Sequence, residues 1–153
     1  MQSNKAKRLR TIGLIALTVA VIVVIVLTVY LTERCTPDPI TADIGKWSEL
    51  GDYDLIVERV TFETDAADPT KALATVTLSV RAHRKIKLHS DDFRINGEDC
   101  FSAPAPWESG ALQLEQGQEQ QMTLIWQVEA NSSRQLVLEH RHLQVRLGSS
   151  MQV

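Results

Sequence analysis

The chain has 153 residues, a formal net charge of −3 and 44% hydrophobic residues, which suits one domain with some additional sequence. The acidic charge argues against a nucleic-acid-binding protein, which would need a basic domain, and two cysteines are too few for a disulfide-dense miniprotein. The charge is uneven: residues 1–31 carry +4 and residues 32–153 carry −7.

The segment Thr11–Leu31 has 21 residues without a charge or a proline. As a helix it would be about 31 Å long, close to the hydrocarbon thickness of a bilayer. A cleaved signal peptide is the alternative, but its apolar core is usually shorter and small residues follow it. Here Thr32, Glu33 and Arg34 follow, and they fit neither a cleavage site nor a lipid-attachment box at Cys35. The segment therefore predicts one uncleaved transmembrane helix.

The charges that flank this segment predict its orientation. Lys5, Lys7, Arg8 and Arg10 lie on its N-terminal side, and basic residues favour the cytoplasmic side. We therefore expect residues 1–10 to be a cytoplasmic tail at the plasma (inner) membrane, with the C-terminal part outside the cytoplasm. Residues 32–43 contain two prolines and no apolar run, which is typical of a short, stiff linker.

From residue 44 to residue 149 the apolar residues recur with period two, which predicts strands. A one-residue slip between Val57 and Val60 suggests a bulge, and Asn96-Gly97 predicts a tight hairpin turn. Seven or eight short strands in about 105 residues are typical of a two-sheet sandwich. The apolar stripes are Tyr53/Leu55/Val57, Ala74–Ala82, Ile86/Leu88, Phe93/Ile95, Leu112/Leu114, Met122–Val128, Leu136/Leu138 and Leu143–Leu147.

The two cysteines leave three alternatives open. An extracytoplasmic domain favours disulfides, so Cys35 and Cys100 could form an internal bond that ties the linker to the sandwich. Cys35 could instead pair with Cys35 of a second copy, or both thiols could be free. A homodimer could also form through the helix, where Gly13, Ala16 and Ala20 share one face.

One cluster of basic residues lies within the acidic C-terminal part and consists of Arg81, Arg84, Lys85, Lys87 and Arg94. It could be a patch that binds an acidic partner or anionic headgroups. Basic residues on an edge strand also protect a sheet against aggregation, and this second interpretation stays open beside the first.

The sequence predicts no catalytic, cofactor-binding or metal site. His140 and His142 could share a strand face, but no third ligand follows at a recognisable spacing, so surface histidines are expected. The acids around Asp91 and Glu98 lack the order of a calcium loop and are expected to be solvated turn residues. There is no G-x-S-x-G sequence and no phosphate-binding glycine loop.

Three pieces of the sequence stand out together: Gly45-Lys46-Trp47 with Gly51–Val57, then Phe93–Gly97 with the following cysteine and aromatic residue, and Leu114–Gly117 leading to Leu124–Val128. With these pieces the chain resembles a family of bacterial membrane- or lipid-anchored, immunoglobulin-like domains of unknown function, often described as immunoprotective extracellular domains. Together they cover most of residues 44–140. The resemblance implies an anchored, extracytoplasmic module without catalytic residues.

These observations predict an all-β, immunoglobulin-like sandwich preceded by a single transmembrane helix. We expect a non-enzymatic binding module of the cell envelope, with the bilayer and an envelope protein as partners and with no cofactor or nucleic acid. The alternative is a small accessory subunit of a membrane transport or secretion complex, assembled through its helix.

Overall fold

A computed structural model describes residues 16–30, 38–107 and 110–151. The chain divides into two compact units, Met1–Asp38 and Pro39–Val153, and the second is called the β domain below. In the first unit, residues 16–30 form a helix, α1, on which every residue is exposed. The predicted transmembrane segment extends past α1, but residues 11–15 and 31 lie outside the described residues. Within the described ranges, no helix combines the length and the apolar character needed to cross a membrane.

The described part of the β domain contains eleven strands and one 3-10 turn, Ser90–Asp92. The strands are β1 (Ile40–Asp43), β2 (Ser48–Glu49), β3 (Tyr53–Thr64), β4 (Lys71–Ala82), β5 (Ile86–His89), β6 (Phe93–Ile95), β7 (Glu98–Asp99), β8 (Ala111–Leu114), β9 (Glu119–Glu129), β10 (Leu136–His140) and β11 (Leu143–Gly148).

These strands form a sandwich-like arrangement of sheets, so the expected all-β architecture is confirmed. One sheet has the order β1-β11-β10-β6-β7 and the other β2-β3-β4-β9, while β5 and β8 form a separate two-stranded ladder. The long strands β3, β4 and β9 pair antiparallel over most of their length. Because one face of each strand is buried and the other is wet, the alternation seen in the sequence is what such sheets require.

The predicted apolar stripes form the core. Every second residue of β4 from Ala72 to Ala82 is at most 1% exposed, and Trp126 of β9 is 1% exposed. The predicted bulge is present in β3, where the register with β4 shifts between Val57 and Arg59. The predicted turn is present as well: Asn96 and Gly97 both have positive φ, and they connect β6 to β7.

The structure differs from the sequence interpretation at the start of the β domain. Residues Ile40–Asp43, predicted to belong to the linker, form β1, which pairs in parallel with β11 from Ile40↔Leu143 to Asp43↔Arg146. Only Ala42 of β1 is buried, so the strand has no apolar stripe that a sequence pattern could reveal. The strands β2 and β7 have two residues each and are too short for periodicity to detect.

Candidate functional site

The predicted basic patch is spread over several elements. Arg81 lies near the end of β4, Arg84 and Lys85 lie in the turn that follows, and Lys87 lies in β5. Arg94 lies on β6 in the five-stranded sheet, whereas β4 belongs to the four-stranded one. All five residues are exposed.

Ion pairs with acids from the same domain neutralise most of this patch. Four of the five bases are paired: Arg84–Asp52 at 2.5 Å, Lys85–Glu115 at 2.7 Å, Arg81–Glu119 at 2.9 Å and Arg94–Asp99 at 3.0 Å. The guanidinium of Arg81 also lies 4.6 Å from the ring centre of Trp47, a cation–π contact. An acidic partner would have to replace these contacts, which lowers the electrostatic gain from binding here. Lys87 has no ion pair within the described part of the chain, and partner binding at this patch stays a prediction.

A polar cleft lies between the edge of β9 and the β6–β7 hairpin of the other sheet. Its volume is about 110 Å³. The lining comes from four segments of the chain: Lys71 at the start of β4; Ile95, Asn96 and Glu98 of the hairpin; Gln127, Val128 and Glu129 at the end of β9; and Ser132, Arg134 and Leu136 from the approach to β10. The apolar residues of this set are buried and the charged ones are half-buried or exposed, so the cleft has an apolar floor and a charged rim.

Hydrogen bonds hold the hairpin wall of the cleft in place. The indole N–H of Trp126 donates to the carbonyl of Glu98 at 3.2 Å and so connects the two sheets. Asn96 donates its backbone N–H to the carbonyl of Val137, and its side-chain Oδ1 accepts the Val137 N–H, both at 3.1 Å. The hairpin is therefore fixed to β10 at one end and to β9 at the other.

The opposite wall is fixed by Ser150, which is 1% exposed. Its hydroxyl donates to the carbonyl of Glu129 at 2.5 Å and accepts the backbone N–H of Ser132 at 3.2 Å. Next to it, the Gln127 amide donates to Asp65 at 2.7 Å. These contacts preorganise the cleft, which reduces the entropy lost when a ligand binds.

The charged side chains at the rim of the cleft differ from those of the basic patch. Lys71, Arg134, Glu98 and Glu129 form no ion pair with another described residue, although Lys71 and Glu129 are directly opposite in the β4–β9 register. The cleft thus presents two cations and two anions to a ligand. The sequence did not predict it, because its residues come from four separated segments and no one segment has a recognisable motif.

His140 corrects the expectation of surface histidines. It is 1% exposed, and a turn at Arg141 separates it from His142, so the two do not continue one strand. Its ring stacks on Phe93 with centroids 4.0 Å apart. Its Nδ1 lies 2.9 Å from the carbonyl of Asp92 and its Nε2 lies 2.5 Å from the hydroxyl of Tyr53.

The contacts of His140 determine its tautomer. A carbonyl oxygen can only accept, so Nδ1 carries the proton and Nε2 accepts the hydrogen bond that Tyr53 donates. Burial lowers the pKa of His140 to about 4 and raises the pKa of Tyr53 to about 12. Both groups are therefore neutral near pH 7, and their bond connects β10 of one sheet with β3 of the other.

The thiol of Cys100 is half-buried and forms no disulfide with another described residue. Burial raises the pKa of this thiol, which decreases its thiolate fraction and its reactivity. Its predicted partner Cys35 lies outside the described residues, so the internal disulfide and the Cys35–Cys35 bond both stay predictions. Among the described residues, no three His, Cys, Asp or Glu side chains come together as a metal site.

Comparison with known proteins gives distant likenesses only. No family model matches the sequence, and no curated protein does. One similar solved structure is the ycdA protein of Bacillus subtilis, provisionally described as a lipoprotein, with 11% identity and a TM-score of 0.47 over 67% of this chain. The chain spans 38% of the length of that protein. Another is the Bacillus subtilis yjhA protein, with 13% identity and a TM-score of 0.44 over 64% of this chain and 78% of that one.

Proposed function

We propose that this protein is a single-pass, membrane-anchored module whose extracytoplasmic β domain binds a protein partner of the cell envelope. The anchor is the uncharged segment Thr11–Leu31, with the basic residues before it on the cytoplasmic side. Membership in the anchored, immunoglobulin-like family is part of this proposal.

The surface of α1 is the observation that carries the anchor. Its large apolar side chains lie on all sides of the helix, and their exposed fractions run from 48% to 67%. A helix that is apolar on all sides is stable only when protein or lipid covers it. A bilayer would cover this surface. The uncharged sequence continues beyond both ends of α1 and reaches about 21 residues, the length that a spanning helix needs.

Alkaline carbonate extraction of membranes tests the anchor. We expect the full chain to remain in the pellet and a Val21→Leu control to behave identically. Val21→Arg should lower the pelleted fraction, because a charge at the centre of a spanning helix costs about 3 kcal/mol. Release of the unmodified chain by carbonate would contradict the proposal.

Protease added to cells without outer barriers should digest the β domain, and full protection would contradict the orientation.

The polar cleft is the binding surface that the contacts favour. Its charged groups can pair with a partner without losing pairs inside the domain, whereas most bases of the basic patch would have to exchange one acid for another. A peptide segment that carries positive and negative side chains is complementary to a rim with two cations and two anions. The buried apolar floor adds a place for one small apolar side chain.

Crosslinking in intact cells, followed by recovery of the full chain, tests this surface. The Lys71→Glu/Arg134→Glu variant should lose the captured partner, while Arg146→Glu, a single charge reversal at an exposed position outside the cleft, should keep it. Capture that survives the double reversal would contradict the cleft.

Two further variants separate the remaining interpretations. Loss of capture with Lys87→Glu alone would assign binding to the basic patch, because this substitution breaks no ion pair with a described residue. Replacement of Thr11–Leu31 by an unrelated apolar helix should leave capture intact. If capture is lost there, the protein is instead an accessory subunit assembled through its helix.

A further inference from the structure

The outer edge of β3 is only partly paired. On that side β2 pairs with Asp54 and Leu55, and the Gly45 N–H donates to the carbonyl of Val57 at 2.8 Å. Beyond the bulge, residues 59–64 have β4 on one side and no strand on the other within the described ranges. Six residues of β3 therefore present an unpaired edge.

The direction of the backbone groups at this edge follows from the first half of the strand. Tyr53 and Val57 have buried side chains, and their carbonyls accept hydrogen bonds from the outer side, from Leu50 and Gly45. In one strand the residues of one face direct their backbone groups to the same side. After the bulge Val60 and Phe62 lie on the core face, so their N–H and C=O groups point out of the open edge.

The apolar side chains at this edge are incompletely covered. Val60 and Phe62 are half-buried, whereas their β4 neighbours Val76 and Ala74 are both 0% exposed. A strand added at the open edge would cover them and complete this part of the core.

The charges along the edge are arranged symmetrically about Thr61. Arg59 and Glu63 are exposed, lie on the solvent face, and form no ion pair with a described residue. If a second β3 runs antiparallel with Thr61 opposite Thr61, each Arg59 lies opposite a Glu63 and each Val60 opposite a Phe62. A shift of two residues in one direction places Arg59 opposite Thr61 and loses the match. A shift in the other direction places Arg59 opposite Asp65, which lies beyond the end of β3 and already accepts a hydrogen bond from Gln127.

We propose that the β domain forms a homodimer by antiparallel pairing of two β3 edges about Thr61. Val60 and Phe62 of the two copies would exchange backbone hydrogen bonds, as in a regular antiparallel ladder. The interface is self-complementary, as a two-fold axis requires. A bulge and charged side chains at a sheet edge also prevent pairing with a second chain. Charges that served only to repel a second copy would all have one sign, whereas Arg59 and Glu63 attract each other across the two-fold axis.

Cysteine crosslinking of the full chain in membranes tests the register. In the background Cys35→Ser/Cys100→Ser, Thr61→Cys places two thiols opposite each other in a non-hydrogen-bonded pair. There the Cα atoms are about 4.5 Å apart, within the disulfide range. Mild oxidation should give a dimer band from most of the protein. Glu63→Cys is the matched control on the same strand and face, and its copies would be about 13 Å apart. Crosslinking of Thr61→Cys no stronger than that of Glu63→Cys would overturn the proposal.

Charge exchange gives a second test that does not depend on cysteines. Arg59→Glu or Glu63→Arg replaces both attractive pairs of the dimer with repulsive ones, and should raise the dissociation constant of the full chain in detergent roughly tenfold or more. The double variant Arg59→Glu/Glu63→Arg restores both pairs and should return the constant to the original value. A full chain that is monomeric, or a dimer that none of these variants changes, would overturn the proposal. Circular dichroism verifies that each variant is folded.

Discussion

Acidification should destabilise the β domain through His140. Its ring is neutral in the fold, with Nδ1 donating to Asp92 and Nε2 accepting from Tyr53. Protonation would place a second donor against the Tyr53 hydroxyl, in a region from which water is excluded. Burial is the largest cause that lowers the pKa of His140, and the nearby Arg141 lowers it further.

The pKa values of His140 in the folded and the unfolded chain give the size of this stability loss. The pKa is about 4 in the fold and 6.5 in the unfolded chain, so between these values the unfolded chain binds the extra proton. Stability from this group is therefore complete above about pH 6.5, decreases as the pH falls and is lost below about pH 4. Each pKa unit corresponds to 1.36 kcal/mol, so the loss is about 3 kcal/mol. That is a large part of the 5–15 kcal/mol that stabilises an ordinary domain.

Urea unfolding of the full chain in a mild detergent measures this effect when it is followed by tryptophan fluorescence, to which the buried Trp107 and Trp126 contribute. The His140→Gln variant keeps a donor and an acceptor but does not titrate, so it is the matched control. Between pH 6.5 and pH 4, we expect the free energy of unfolding to fall more steeply in the unmodified protein than in the variant. Above pH 7, the free energies of the two proteins should change with pH in parallel. Equal slopes, or an NMR titration of His140 near pH 6.5, would refute the reasoning.

Three further substitutions test the packing. Tyr53→Phe leaves Nε2 of His140 without its donor and should lower the free energy of unfolding by about 1–3 kcal/mol at pH 7, measured in the same assay. Trp126→Asp places a charge in the core and should abolish the folded circular dichroism spectrum. Gln127→Ser, on the half-exposed face, should lower the free energy of unfolding by about 1 kcal/mol or less. Equal losses of stability in the two variants would contradict the assigned faces. Gly97→Ala should cost about 1 kcal/mol in thermal unfolding because φ is +84° there, and no loss would show that the turn can relax.

Local patterns predicted the strands well because side-chain direction in a strand alternates with period two whatever the partner strand is. The stripe from Met122 to Val128 identified β9 and its buried face, and Asn96-Gly97 identified the turn between β6 and β7. The slip after Val57 located the bulge. By contrast, β1 was assigned to the linker, because a short parallel edge strand with one buried residue has no periodic signal.

The candidate sites depended on contacts that no local pattern contains. His140 and Tyr53 are 87 residues apart, and their hydrogen bond exists because the two sheets face each other there. The basic residues were visible in the sequence, but the acids that pair with Arg84 and Lys85 come from other strands or loops. Alone, the sequence determined an apolar N-terminal segment, a set of strands and the buried face of each. Only the tertiary structure decided which charges are neutralised, which histidine is buried and where the cleft and the open edge lie, because strand order and register place distant residues side by side.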